Sequence, residues 1–150
     1  MDKQSFKKRI VDICIETLES NAQIVHETID EIIQTASDYE GDHDLFDPFK
    51  EEMMKKKDMQ VKLLKKYMDD IALIKKVNPA KISENVEFGS VVITDKQKMF
   101  ISAAIGKIQV NDDSYYVIST QVPVFKAMQS LKVGDSFTIN DIKFTIKDII

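Results

Sequence analysis

Two long stretches free of helix breakers dominate this chain. Residues 5–39 contain no Gly and no Pro, and apolar or small residues recur at Val11, Cys14, Leu18, Ala22, Val25, Ile29, Ile32 and Ala36. The intervals between them are all three or four, close to the repeat of a coiled-coil seam. Gly41 follows where a helix C-terminal cap belongs. A second helix is equally well marked: Asp47 suits an N-cap, Pro48 the first helical position, and Glu51 and Glu52 the first turn. Val61, Leu64, Met68 and Ile71 then read as its seam, and no breaker returns before Pro79. A short connection makes the two helices antiparallel neighbours. Arms of about 30 residues span about 40–50 Å. Met53, Met54, Met59 and Met68 read as gap-filling core residues, and Cys14 as an inert buried thiol.

Charge sharpens the picture. Residues 1–79 hold 13 Lys+Arg against 17 Asp+Glu, so the whole net charge of −4 lies in this half. Asp38, Glu40, Asp42, Asp44 and Asp47 fall in ten residues without a Lys or Arg, at the junction of the helices. Seven lysines follow between Lys50 and Lys66, including Lys55, Lys56 and Lys57. An acidic tip thus precedes a basic arm. His43, between two aspartates, reads as an exposed loop residue, and His26 lies off the seam.

Beyond Pro79 the pattern becomes β-like. Val86–Thr94, Met99–Val110 with a break near Gly106, Tyr115–Thr120, Ser136–Asn140 and Ile142–Ile150 read as strands. The segment 123–131, opened by Pro123, has helical spacing, and Asn111-Asp112-Asp113 and Asn140-Asp141 read as turns. The expected fold is α+β: a long antiparallel coiled-coil hairpin over 1–79, then a small antiparallel β domain over 80–150. The second half has no His, no Cys and no Gly-rich phosphate loop. One cysteine cannot cross-link the chain internally, and no stretch nears the roughly 20 apolar residues that span a bilayer. With no signal-peptide pattern at the start, a cytoplasmic location without membrane attachment is expected.

Particular residues carry a family resemblance. Val86-Glu87-Phe88-Gly89-Ser90, Ile118-Ser119 through Pro123, Lys126-Ala127-Met128, Lys132-Val133-Gly134-Asp135 and Phe144 to Ile149 resemble, in order, motifs of the bacterial Gre transcript-cleavage factors. The resemblance implies an FKBP-like β domain that binds RNA polymerase and a hairpin that enters its secondary channel. In that family the tip reads G-D-L-S-E-N-A-E-Y. Here Gly41-Asp42-His43-Asp44-Leu45-Phe46-Asp47-Pro48-Phe49 places Asp42 at the first acid and Leu45 at the second. Asp44 or Asp47 could stand in for the second. The resemblance therefore implies an accessory factor and not an enzyme, lending Asp42, Asp44 and Asp47 to the polymerase. It would have no cofactor of its own, with Asp42 and Asp44 sharing Mg²⁺ with the polymerase. Lys55, Lys56 and Lys57 would face the nascent RNA 3′ end. The tip would either modulate cleavage and elongation or inhibit the polymerase without stimulating cleavage. An FKBP-like prolyl isomerase or chaperone is the alternative. It would need a pocket built from some of Phe88, Phe100, Tyr115, Tyr116, Phe125, Phe137 and Phe144, most of which are expected in the core.

Overall fold

The computed structural model describes residues 2–39 and 47–150. Helix α1 runs Lys3–Asp38 and helix α2 runs Pro48–Ile74. After them come β1 (Val91–Thr94), β2 (Lys98–Ile101), β3 (Gly106–Val110), β4 (Asp113–Ile118), α3 (Pro123–Met128), β5 (Ser136–Ile139) and β6 (Ile142–Ile149). The chain is α+β, a long helical hairpin followed by one six-stranded sheet. It divides into two compact units: Met1–Glu16 with Asp70–Ile150, and Thr17–Asp69.

In the first unit the strand order is β3-β4-β2-β1-β6-β5. Four of the five pairings are antiparallel, as the sequence leads one to expect. The exception is β2 with β4, which run parallel with Met99 beside Tyr116 and Ile101 beside Ile118. The β3–β4 hairpin supplies the crossover, returning the chain to β2 from its far side. The two-residue turn Asn140-Asp141 takes positive φ at both residues (50° and 65°), the twist that a tight hairpin between β5 and β6 requires.

Alternation along the strands builds two apolar faces. Val92, Met99, Ile101, Ile146 and Ile149 join Phe125 and Met128 of α3 and the stacked pair Phe137–Phe144 in one core. On the other face Val91, Phe100, Val117 and Tyr115 are buried, and the Phe6 ring of α1 lies 5.5 Å from that of Tyr115. The base of α1 therefore belongs to the β unit because the sheet needs a cover on both sides. Gly89, inside the V-x-F-G-S segment, holds φ +87° while its N–H donates to the Ile101 carbonyl at 2.7 Å. An added Cβ there would be strained in backbone and would meet the Val77 side chain at 3.4 Å.

The α1 seam agrees with the sequence reading from Val11 to Val25, all buried at the expected positions, and becomes half-buried at Ile29, Ile32 and Ala36. The α2 seam agrees at Leu64 and Ile71 but not at Val61 and Met68. Its less exposed positions include Met53, Lys57, Gln60, Leu64, Tyr67, Ile71 and Ile74, again at intervals of four and three. Val61 and Met68, expected inside, are 47% and 55% exposed. Met54 and Met59, expected as core fillers, are 60% and 69% exposed. Of those four methionines only Met53 is half-buried. Lys57 and Gln60, whose stems are amphipathic, occupy the seam where Val61 was expected.

Candidate functional site

Of the expected tip residues, Gly41, Asp42, His43, Asp44 and Leu45 lie outside the described residues. The two helix ends that flank them are described. Tyr39 and Phe49 bring their rings to 4.3 Å, tilted by 34°. Asp47 is buried and caps α2: its Oδ1 accepts from the Phe49 N–H at 2.9 Å, and its carbonyl accepts from the Glu51 N–H at 3.1 Å. This satisfies N–H groups that a helix start leaves open. Its Oδ2 is buried with no hydrogen-bond partner. A buried carboxylate oxygen of this kind suits a hard cation as a single donor. Among the described residues no group of three or more His, Cys, Asp or Glu could hold a metal ion by itself.

The lysines behind the tip divide by direction. Lys55 and Lys56 are exposed and reach back one turn, to Glu51 at 3.4 Å and Glu52 at 3.5 Å. Lys57 turns toward the seam and, with Ile32, Ile33, Ala36, Met53 and Met54, lines a shallow cleft of about 350 Å³ between the helices. The three expected contacts with RNA therefore do not share one direction. His26 is exposed and pairs with Asp30 at 3.3 Å along α1.

Sequence reasoning missed a polar cluster in the β unit. Lys7 is 1% exposed, and its Nζ donates to the Lys81 carbonyl at 2.7 Å. Burial is the main reason its ammonium is depressed to about 8; nearby Glu87 opposes the shift and Lys81 reinforces it. Glu87 accepts from Ser83 at 3.0 Å and pairs with Lys81 at 2.9 Å. The Lys81 hydrogen bond is the leading cause that holds its carboxyl below the ordinary value. The signal was present in the sequence: Lys7 stands four residues before Val11, on the same helical stripe as Cys14. The Cys14 thiol, fully buried, is pushed up to about 12 by desolvation.

The aromatic residues of the alternative reading are mostly spent on packing. Phe100, Tyr115, Phe125, Phe137 and Phe144 are buried, whereas Tyr116 is exposed and Phe88 half-buried. No helix among the described residues is long and apolar enough to cross a membrane.

No family model matches the chain, and no curated protein matches it. Among solved structures it is similar to Gre-type factors. The crystal structure of the GreA factor homolog 1 (Gfh1) protein of Thermus thermophilus is 18% identical, covering 91% of this chain and 94% of that chain with a TM-score of 0.36. A structure of the transcription factor Gfh1 is likewise 18% identical, covering 91% of this chain and 93% of that one with a TM-score of 0.39.

Proposed function

We propose that this chain is a Gre-like transcription factor that binds bacterial RNA polymerase through its β domain and inserts the acidic end of its hairpin into the secondary channel. The observation that carries this is the position of the acids. In the sequence, five acids from Asp38 to Asp47 fall where α1 gives way to α2, helices of 36 and 27 residues. At 1.5 Å per residue α1 alone is about 54 Å long. Charge on so thin an element can reach a centre that a globular domain cannot. The ordered Gre-like motifs of residues 86–149 support the same role.

The protein acts as an accessory and not as an enzyme. Acids carried on the connection between two helices can complete a catalytic site owned by another protein. Asp42 and Asp44 would hold Mg²⁺ jointly with the polymerase, and the unpartnered Oδ2 of Asp47 suits the same ion. Bound there, the ion would stabilise the attacking and leaving oxygens of RNA cleavage. Asp47 also caps the start of α2. Lys55 and Lys56 are the exposed cations behind the tip that would face the RNA 3′ end, each tethered to a glutamate of its own helix.

The test is RNA cleavage in a stalled elongation complex, with the full chain and with Asp42→Ala and Asp44→Ala. Protein-dependent cleavage that both variants lose supports a cleavage factor. Slowed elongation without cleavage, sensitive to the same variants, supports a channel-blocking inhibitor. Failure to bind core polymerase at low salt sinks both versions.

A further inference from the structure

The hairpin unit leaves apolar side chains in water along one line. Met54, Val61 and Met68 stand at seven-residue intervals on α2 and are 60%, 47% and 55% exposed. Such a spacing drifts only about 20° per step, so the three make a nearly straight stripe. Ile33 on α1, half exposed, opens on the same cleft as Met54 and extends the stripe onto the neighbouring helix. A monomer gains nothing from this arrangement, whereas a partner face would.

Charge identifies the partner. From Thr17 to Asp38, α1 carries five acids and no Lys or Arg, while α2 carries seven lysines between Pro48 and Lys66 against three acids. Several of these groups are met within their own helix. Glu27, Asp30 and Asp38 are met by Gln23, His26 and Gln34 on α1, and Lys65 by Asp69 on α2. The opposite charges of the two arms are thus not consumed across the hairpin by these groups. A surface with one acidic edge, one basic edge and an apolar line between them is complementary to itself.

We propose that the hairpin pairs with the hairpin of a second copy, through the face bearing Ile33, Met54, Val61 and Met68, to form a four-helix bundle. The two-fold axis runs parallel to the helices, because only that operation lays α1 of each copy against α2 of the other. The perpendicular two-fold would set acidic α1 on acidic α1. Ile33 of one copy then faces Met54 of its partner, and Val61 and Met68 lie against the partner's α1. Twenty-two residues of α1 beside α2 present a face about 33 Å long and about 20 Å wide. About 600 Å² per copy, roughly 1,200 Å² in all, puts the pair at the lower end of stable interfaces. Pairing is independent of the polymerase-directed role, and it makes the arm too thick for any pore that admits one hairpin.

Light scattering on the full chain at low salt, over a range of protein concentrations, gives the first reading. The expected mass rises toward twice the 17.2 kDa of the monomer, and the rise weakens in high salt as the Debye length shortens. Val61→Glu lowers association by at least about tenfold, since a two-fold interface carries each substitution twice. Met59→Glu, on the 69%-exposed residue off the stripe, leaves association unchanged. Mixing Ile33→Cys with Met54→Cys and oxidising gives the mixed disulfide in preference to either symmetric one, while buried Cys14 stays silent. A monomer at every concentration, or a dimer that Val61→Glu leaves intact, overturns the proposal. Symmetric Ile33 cross-links in excess overturn it too, because they require the like-charged arrangement.

Discussion

Replacing Lys7 by Met would test whether a buried ammonium sets the pH response of the β unit. The ammonium is depressed from 10.5 to about 8 by burial, while in an unfolded chain it keeps its ordinary value. Between those two values the unfolded chain holds more protons than the folded one. Stability therefore rises with pH across that window, and below about 8 the full penalty is present. The interval corresponds to about 3 kcal/mol at about 1.4 kcal/mol per pH unit. At pH 7, Lys7→Met escapes the penalty but leaves the Lys81 carbonyl without its 2.7 Å donor, a loss of about 1–2 kcal/mol. The variant should thus start about 1–2 kcal/mol ahead of the parent. Urea unfolding followed by circular dichroism at pH 7, 8, 9 and 10 reads the difference. The parent should gain about 2–3 kcal/mol on the variant across that range, while titrations common to both proteins cancel. Parallel pH profiles would refute the reasoning, since they would mean that Lys7 is as well solvated folded as unfolded.

Two further predictions concern the helices. The Cys14 thiol, fully buried and pushed up to about 12, should not react with a disulfide reagent at pH 8 in the folded protein but should react at once in urea; reaction in both would show that the base of α1 opens freely. Asp47→Ala should cost about 1 kcal/mol of helix stability and Asp47→Asn only a few tenths, read as earlier thermal loss of helical signal; equal losses would show that the charge and not the cap matters.

Much of the fold was written in local signals. The Asp47-Pro48 start of α2, the Pro123 start of α3 and the Asn140-Asp141 turn each depend on the backbone preferences of one or two residues, and each appears where those preferences put it. The parallel pairing of β2 with β4 had no such signal. It follows from which strand edge the β3–β4 hairpin reaches, a long-range choice that alternation within a strand does not encode. The α2 seam misled for a different reason. Val61 and Met68 are more apolar than Gln60 and Tyr67, yet lie one residue off the line that faces α1. Hydropathy ranks side chains, whereas packing selects an angle around the helix, and a long amphipathic stem can satisfy that angle. The same error hid the exposed stripe. At the acidic tip, composition showed that the charge was concentrated, and Asp47 could be assigned a cap. Directions for Lys55, Lys56 and Lys57 required the helix phase, which the misplaced seam got wrong. Lys7 escaped notice because a lysine is rarely buried, although its spacing from Val11 placed it inside.

The β unit is discontinuous in the chain: residues 1–16 belong with residues 70–150, and the whole hairpin unit lies between them. Its closing contact in the sheet joins Val91 to Ile150, with backbone bonds of 3.0 and 2.8 Å in the two directions. This gives synthesis an order. The hairpin unit is made of neighbours in sequence and can form as soon as its second arm emerges. The first sixteen residues, with the apolar groups of Phe6 and Ile10, have no sheet to lie on until more than a hundred further residues have been added. A segment that must wait that long with its apolar side uncovered is one that a chaperone can hold. Tyr115 of β4, against which Phe6 lies, is thus among the residues that end this wait.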